Sequence, residues 1–562
     1  MMPMEAIFPR LLIETVMHRP TNLRSTELTP ANGAESAKPV DRRGALKLGL
    51  ACAATTLSGC TPWREYYRNG FKVGPNYRKP LAAVSDNWQD TSDARVKAGP
   101  ADLRDWWYVF NDPALNQLIF NAFRGNLDVR TAGLRVLESQ ALRGYAAGNF
   151  FAQTQQLNFS YQRNQISHAN STTSFFPFRA IDQYQVGPNF IWELDFWGKF
   201  RRQIEAADAN LDAAIESYDA MLVQYLAETA DAYVQLRTAE QRLQYARENA
   251  EIQAGILTIA DERLKAGVTN ELDSLQARSN LRRTQALIPN LEIVRRVANN
   301  RLCVLMGTPP RDLTPELGFN PVIPTAPSDV VLGIPAELLF RRPDVRQAER
   351  LVAYQSALIG VAQADFYPHI SITGNLNVTA QEFNKLFSTK AVAGSVGPTV
   401  AWQILQYGRI LNNVRAQDAR FQQAATTYQQ TVLKANEEAE NALITFLKSQ
   451  EEVTVLRDSV AASSRSVEIV SLEYKVGKSD FNRVFNLQTL LTQEQDRLAV
   501  AYSDVARGLI SLYRALGGGW QIRLNGPGPF EQQAPLAPPN APPEPPLIPP
   551  VENVPKAPPG AR

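Results

Sequence analysis

From Tyr184 to Phe196 apolar and polar residues alternate. Tyr184, Val186, Pro188, Phe190, Trp192, Leu194 and Phe196 take the even positions, and Gln185, Gly187, Asn189, Glu193 and Asp195 take most of the odd ones. A period of two predicts a β-strand with one apolar and one polar face. The period changes at Gly198, and no proline interrupts residues 199 to 265. That stretch reads as one helix of roughly sixty-five residues, which at about 1.5 Å per residue spans roughly 100 Å. Tyr218, Leu222, Tyr225, Thr229, Ala232, Leu236, Ala239, Leu243, Ala246 and Ala250 step along it by fours and threes, a heptad-like seam whose alanines suit close helix packing.

The same pattern occurs twice. Val186, Gly187, Pro188, Trp192, Gly198, Tyr218, Gly267 and Gly307 recur 210 positions later as Val396, Gly397, Pro398, Trp402, Gly408, Tyr428, Gly477 and Gly517. Upstream the offset is 216, matching Asp128, Val129, Arg130 and Ala132 to Asp344, Val345, Arg346 and Ala348. A constant offset over such a distance marks a duplicated unit. The difference between 210 and 216 gives the first copy six additional residues between Ala132 and Val186.

Each copy reads as helix, strand, loop, strand, long helix, turn, helix, so four strands are expected per chain. Leu157, Phe159 and Tyr161 partner the opening strand; Ile370, Ile372, Leu376 and Val378, then Val396, Pro398, Val400, Trp402 and Ile404, mark the second pair. The long helices end at matched turns, Arg263 to Gly267 and Tyr474 to Gly477, where glycine admits the left-handed conformation. A return helix follows each turn, and Pro289 predicts a kink in the first return helix alone.

Four amphipathic strands flanked by helices this long lack an internal partner for their apolar face, so the face is expected to meet lipid. An open sheet edge is not tolerated in lipid, so copies must close together. Two copies would make a narrow eight-stranded barrel, whereas three make twelve strands with room for water, and three is the expectation. Phe190, Trp192, Leu194, Val400, Trp402 and Ile404 are the expected lipid-facing strand residues.

Composition narrows the chemistry. Lys plus Arg number 58 and Asp plus Glu 56, giving no basic excess for nucleic acid. His18, His168 and His369 and Cys52, Cys60 and Cys303 are scattered without metal-site spacing, so neither metal nor cofactor is expected. No nucleophile motif or phosphate loop suggests an enzyme, and Glu193 with Asp195 read as the wet face of a strand. Arg42, Arg43 and Lys47 precede the apolar run LGLACAATTL and then Ser58, Gly59 and Cys60. The run is too short to span a bilayer, and LSGC resembles a bacterial lipoprotein signal, cut before Cys60, which would then carry acyl chains. Residues 1–41 precede this signal, placing the expected start codon downstream of Met1. The tail from Asn525 to Arg562 holds 14 of the 37 prolines and is expected to be extended.

The expected organisation is therefore a leader and signal peptide over 1–59, a lipid-anchored segment over 60–112, a first repeat over 113–310, a linker over 311–336, a second repeat over 337–520 and a proline-rich tail over 525–562.

WWYVFNDPALNQLI, WELDFWGKFRR, ELLFRRPDVRQAE, VGPTVAWQILQYGRI and LYRALGGGW, with FKVGPNYRKP after Cys60, resemble the outer-membrane factor family, the TolC-like channels, and in particular its lipoprotein branch serving drug efflux. The resemblance runs from about residue 60 to 522. It implies a homotrimer in the Gram-negative outer membrane, a twelve-stranded barrel continuing into a periplasmic α-helical barrel, passive conduction, and gating by helix movement at the periplasmic tip. Its implied partners are outer-membrane lipid, a periplasmic adaptor and an inner-membrane efflux transporter. A type I protein-secretion conduit is the alternative within the family, and a helical coiled-coil scaffold the distant one. The family places aspartates six and nine residues, or nine alone, after the second turn glycine, as acidic rings at the gate. Here Arg483 and Asn486 hold those places and Asp480 is the nearest acid. Threefold symmetry would make a ring of each.

Overall fold

The computed structural model describes residues 63–99, 102–165, 180–333 and 335–525. Cys60, the leader and the tail beyond Asn525 lie outside the described residues. Eleven major elements follow in order: α1 (Pro113–Gly125), α2 (Leu127–Gly148), β1 (Thr154–Gln165), β2 (Ala180–Glu193), α3 (Lys199–Lys265), α4 (Glu271–Leu305), α5 (Pro343–Ala364), β3 (His369–Ala380), β4 (Val392–Ala401), α6 (Arg409–Lys475) and α7 (Phe481–Ala515).

The duplication is visible residue by residue. Helices α3 and α6 each have 67 residues, and both ends of α6 lie 210 positions beyond those of α3. Helices α4 and α7 each have 35 and obey the same offset. Helices α2 and α5 each have 22 and are 216 apart. Gly198 and Gly408 precede the long helices with φ of 78° and 77°, and Gly267 and Gly477 close them at 69° and 79°. Such φ values favour glycine, so the punctuation was inherited with the repeat. Helix α4 continues through Pro289, so the proline does not end it. Pro289 lies on the exposed side, where the carbonyl that loses its partner can be hydrated.

The strands form one antiparallel sheet in the order β1-β2-β3-β4, with β1 and β4 at its edges. The main apolar core lies where the middles of α3 and α6 meet the C-terminal ends of α4 and α7, and includes Leu222, Leu226, Tyr233, Leu302, Phe446 and Leu509. Trp106 stacks on Tyr513 there, with ring centroids 5.6 Å apart. The segment before α1 and the linker between repeats meet through two short parallel strands, Val96–Ala98 and Val330–Leu332. Arg342, Arg346 and Arg350, spaced by four on α5, reach Glu438 at 2.8 Å, Glu216 at 2.6 Å and Asp212 at 3.8 Å. The RRPDVRQAER run is thus a ladder of cations clamping α5 to both long helices.

Three expected strand residues lie outside the strands. Strand β2 ends at Glu193 and β4 at Ala401, so Leu194, Trp402 and Ile404 follow them. Leu194 N–H still donates to Ile370 O at 2.8 Å, but the next residue is diverted. Asp195 Oδ1 accepts from Phe200 N at 2.9 Å and its Oδ2 from Arg201 N at 3.0 Å, so Asp195 caps α3 and is not the wet face of a strand. Strand β4 stops because β3 begins at His369, the partner of Ala401, leaving no rung for Trp402.

Candidate functional site: a two-faced sheet and a double tip

Residues directly opposite in an antiparallel pair point to the same side, so the register assigns the faces. Leu157 pairs with Pro188, Phe159 with Val186 and Tyr161 with Tyr184. Val186 pairs with Val378 and Trp192 with Ile372, while Ile370 pairs with Val400 and Ile372 with Pro398. One face is therefore an apolar band across all four strands, bounded at one end by the Arg163–Asp182 ion pair, and Phe190 lies in it opposite Gly374. Val396 and Val400 are 73% and 64% exposed, so none of the described residues covers this band at its β4 edge.

The opposite face is polar. Asn158 Nδ2 donates to Asn189 Oδ1 at 2.9 Å, Asn375 Nδ2 to Ser395 Oγ at 3.0 Å, and the Thr373 and Thr399 hydroxyls are 3.2 Å apart. Ile181 and Ile191 are its large apolar members. Among the described strands Glu193 and His369 of this face meet at one end, with His369 Nδ1 2.7 Å from Glu193 Oε1. A sheet with one apolar face, one polar face and two open edges can separate lipid from water once its edges are paired.

At the other end of the long helices the two turns are joined side by side. The Arg263 guanidinium donates to Tyr474 O and sits 4.7 Å from the centre of the Tyr474 ring. Tyr474 is buried, and its ring meets Phe481 edge-on at 5.6 Å. Ile256, Ala260, Ala277, Val470 and Val484 complete a small core there. Burial pushes the Tyr474 hydroxyl above its ordinary pKa, so the ring stays neutral beneath the guanidinium. Gly267 is open on all sides, and a Cβ at Gly477 would come only within 3.9 Å of Arg263. These two glycines therefore serve backbone conformation, not packing.

The gate candidates stand at the cap and on the first two turns of α7. Asp480 is its cap, with Oδ1 accepting from Arg483 N at 2.9 Å. The pairing of Asp480 with Arg483 is thus to the main chain. Arg483 and Asn486 are exposed, and the Arg483 guanidinium makes no ion pair within the described chain. Sequence reasoning placed Arg263 and Tyr474 in the turns but missed that they touch, because 211 residues separate them. It missed the Asp195 cap as well, although an acid just before a new helical period was the available signal.

Strand hairpins feeding paired helices of this length suit an outer-membrane channel. The chain matches the outer membrane efflux protein family over residues 117–308 and 334–518 and belongs to it. Among curated relatives, nodulation protein T of Rhizobium leguminosarum bv. trifolii is 27% identical over 82% of this chain and 97% of its own. Outer membrane protein OprJ of Pseudomonas aeruginosa is 26% identical over 85% of this chain and 97% of its own. The solved outer-membrane channel OprN is 33% identical, with a TM-score of 0.75, covering 80% of this chain and 99% of that one. The protein is an outer-membrane channel of an efflux system, and its relatives are transport channels.

Proposed function

We propose that three copies close edge to edge into a twelve-stranded barrel, with the apolar face in the outer membrane and the polar face around water. Small molecules delivered by an inner-membrane transporter through a periplasmic adaptor then leave passively through it. The observation that supports this most is the sorting of the four strands into an apolar face and a polar face, with β1 and β4 left open. Because β1 and β4 are the ends of an alternating four-strand order, β4 of one copy can continue antiparallel to β1 of the next. Cys60 carries the lipid anchor in this reading. The paired tips form the periplasmic gate, with Asp480, Arg483 and Asn486 on the stripe that faces the axis.

The test compares the faces. Val396→Arg or Trp192→Arg places a charge against lipid at about 2 to 4 kcal/mol per site near the midplane, and assembly into detergent-resistant trimers should fall. Ser395→Arg and Gln185→Arg, on the polar face, should assemble normally. Equal tolerance at both pairs of sites, or a stable water-soluble monomer, would rule the barrel out.

A further inference from the structure

A short helix, Trp63–Arg68, begins three positions after Cys60. Trp63, Tyr67 and Phe71 are spaced by four, and they are 65%, 61% and 49% exposed. Arg64 and Arg68 are exposed beside them, also four apart. Between the two sets Tyr66 points inward: it is 4% exposed, and its hydroxyl donates to Phe196 O at 2.6 Å. Its ring centre lies 5.8 Å from that of Trp197 and 5.6 Å from that of Phe71.

Other contacts fasten this segment to the foot of β2. The Arg201 guanidinium, held by Asp195 Oδ2 at 2.8 Å, donates to Gly70 O at 2.9 Å and Phe71 O at 2.8 Å. Lys72 Nζ reaches Glu205 at 3.2 Å. A Cβ at Gly198 would lie 2.7 Å from Lys72 Cα, so the corner from strand to helix is shaped to receive the segment. Three aromatic side chains left in the open, on a segment fixed by four independent contacts, require a partner.

We propose that Trp63, Tyr67 and Phe71, with Arg64 and Arg68, form a second membrane contact of the chain, seated in the anionic headgroup region of the periplasmic leaflet. The inference rests on the barrel reading. Its argument is continuity and charge. The segment is bound to Phe196, four residues beyond Trp192 on the last rung of the apolar face, and Phe196 is itself 49% exposed. At the foot of β4 Trp402, Ile404, Leu405 and Tyr407 are 55%, 77%, 80% and 95% exposed, so the apolar collar exists in both repeats. Aromatic rings with a polar edge favour the boundary between acyl chains and headgroups, and arginine can lay its stem on that boundary while its charge meets phosphate. Glu65 is the one acid on the helix, so the exposed side is cationic. Held this way, the start of the folded chain keeps its depth in the membrane even without acylation at Cys60.

The experiment uses full-length protein in vesicles of phosphatidylethanolamine and phosphatidylglycerol, with an environment-sensitive fluorophore on Tyr67→Cys in a Cys303→Ala background. Val396→Cys reports the strand face, and Thr91→Cys, exposed on the same N-terminal segment, reports water. A headgroup-level nitroxide lipid should quench the label at 67 several-fold more than at 91, and adding Arg64→Glu with Arg68→Glu should reduce that quenching. If the label at 396 is quenched by lipid while 67 is as open to a soluble quencher as 91, the second contact is overturned and the barrel stands. Shielding of 67 from both quenchers would mean that protein covers it, which also overturns the proposal. If 396 itself is open to the soluble quencher, the barrel reading fails first.

Discussion

Trp402 donates its indole N–H to the carbonyl of Phe366 at 3.0 Å, and in the first repeat Trp192 does the same to Phe150 at 3.3 Å. Each bond fastens the end of one strand to the corner where α2 or α5 delivers the chain to the sheet. The tryptophans are 210 positions apart and the acceptors 216, so the contact survived although the hairpin between them changed length.

Replacing Trp402 by Phe keeps a ring and removes the donor. A net loss of about 0.5 to 1.5 kcal/mol per chain is expected, from the bond itself and from Phe366 O left without it. The thermal midpoint of the helical circular dichroism signal should fall modestly for Trp402→Phe and for Trp192→Phe, and further for the double variant. An unchanged midpoint in the double variant would show that water replaces both bonds at no cost.

Arg483 stands where the family resemblance implies an acidic ring, and it has no carboxylate partner among the described residues. A ring of three guanidinium groups raises the local potential for anions, whereas three carboxylates attract cations. In a planar bilayer under a salt gradient the wild-type channel should lack strong cation selectivity, and Arg483→Asp should move the reversal potential toward cations. A strongly cation-selective wild type whose selectivity and conductance ignore Arg483→Asp would place the constriction elsewhere.

Glu216 on α3 faces Arg346 at 2.6 Å, with Asp219 and Arg523 nearby. Burial, only partly offset by Arg346, pushes its pKa from 4.5 up to about 6. The fold therefore binds this proton more tightly than the unfolded chain does. The stability it contributes is fully present below pH 4.5 and is lost as pH rises through 6. The shift corresponds to about 2 kcal/mol, so Glu216→Gln, which does not titrate, should gain stability relative to wild type as pH rises across this window. Thermal midpoints of both proteins from pH 4 to 7.5 test it, and a constant difference would contradict the assignment.

Cys60 is expected to carry acyl chains in the mature protein. Mass spectrometry should find the chain beginning at a modified residue 60, and Cys60→Ala should leave the precursor uncut before that position. An unmodified Cys60 within a longer mature chain would refute lipidation.

Much of this architecture was legible because its signals are local. Alternation from Tyr184 and the proline-free run after Gly198 report on neighbours in sequence, and so does the left-handed glycine at each helix end. The duplication then transferred each reading to the other half, which is why boundaries as distant as Lys265 and Lys475 agree. The site was legible in part. The two faces of the sheet followed from periodicity, yet Leu194, Trp402 and Ile404 were assigned to strands that had already ended.

By itself, then, the sequence determined the order and period of the elements, the repeat and which side of each strand is apolar. Tertiary structure alone decided where each strand runs out of partners, that Asp195 turns from the sheet to cap α3, and that Arg263 crosses to Tyr474. It also decided that the RRPDVRQAER cations meet carboxylates on both long helices. The physical reason is distance along the chain. A period is set by residues a few positions apart, whereas a last rung or an ion pair depends on a partner that folding brings from as far as two hundred residues away, as Arg263 and Tyr474 do.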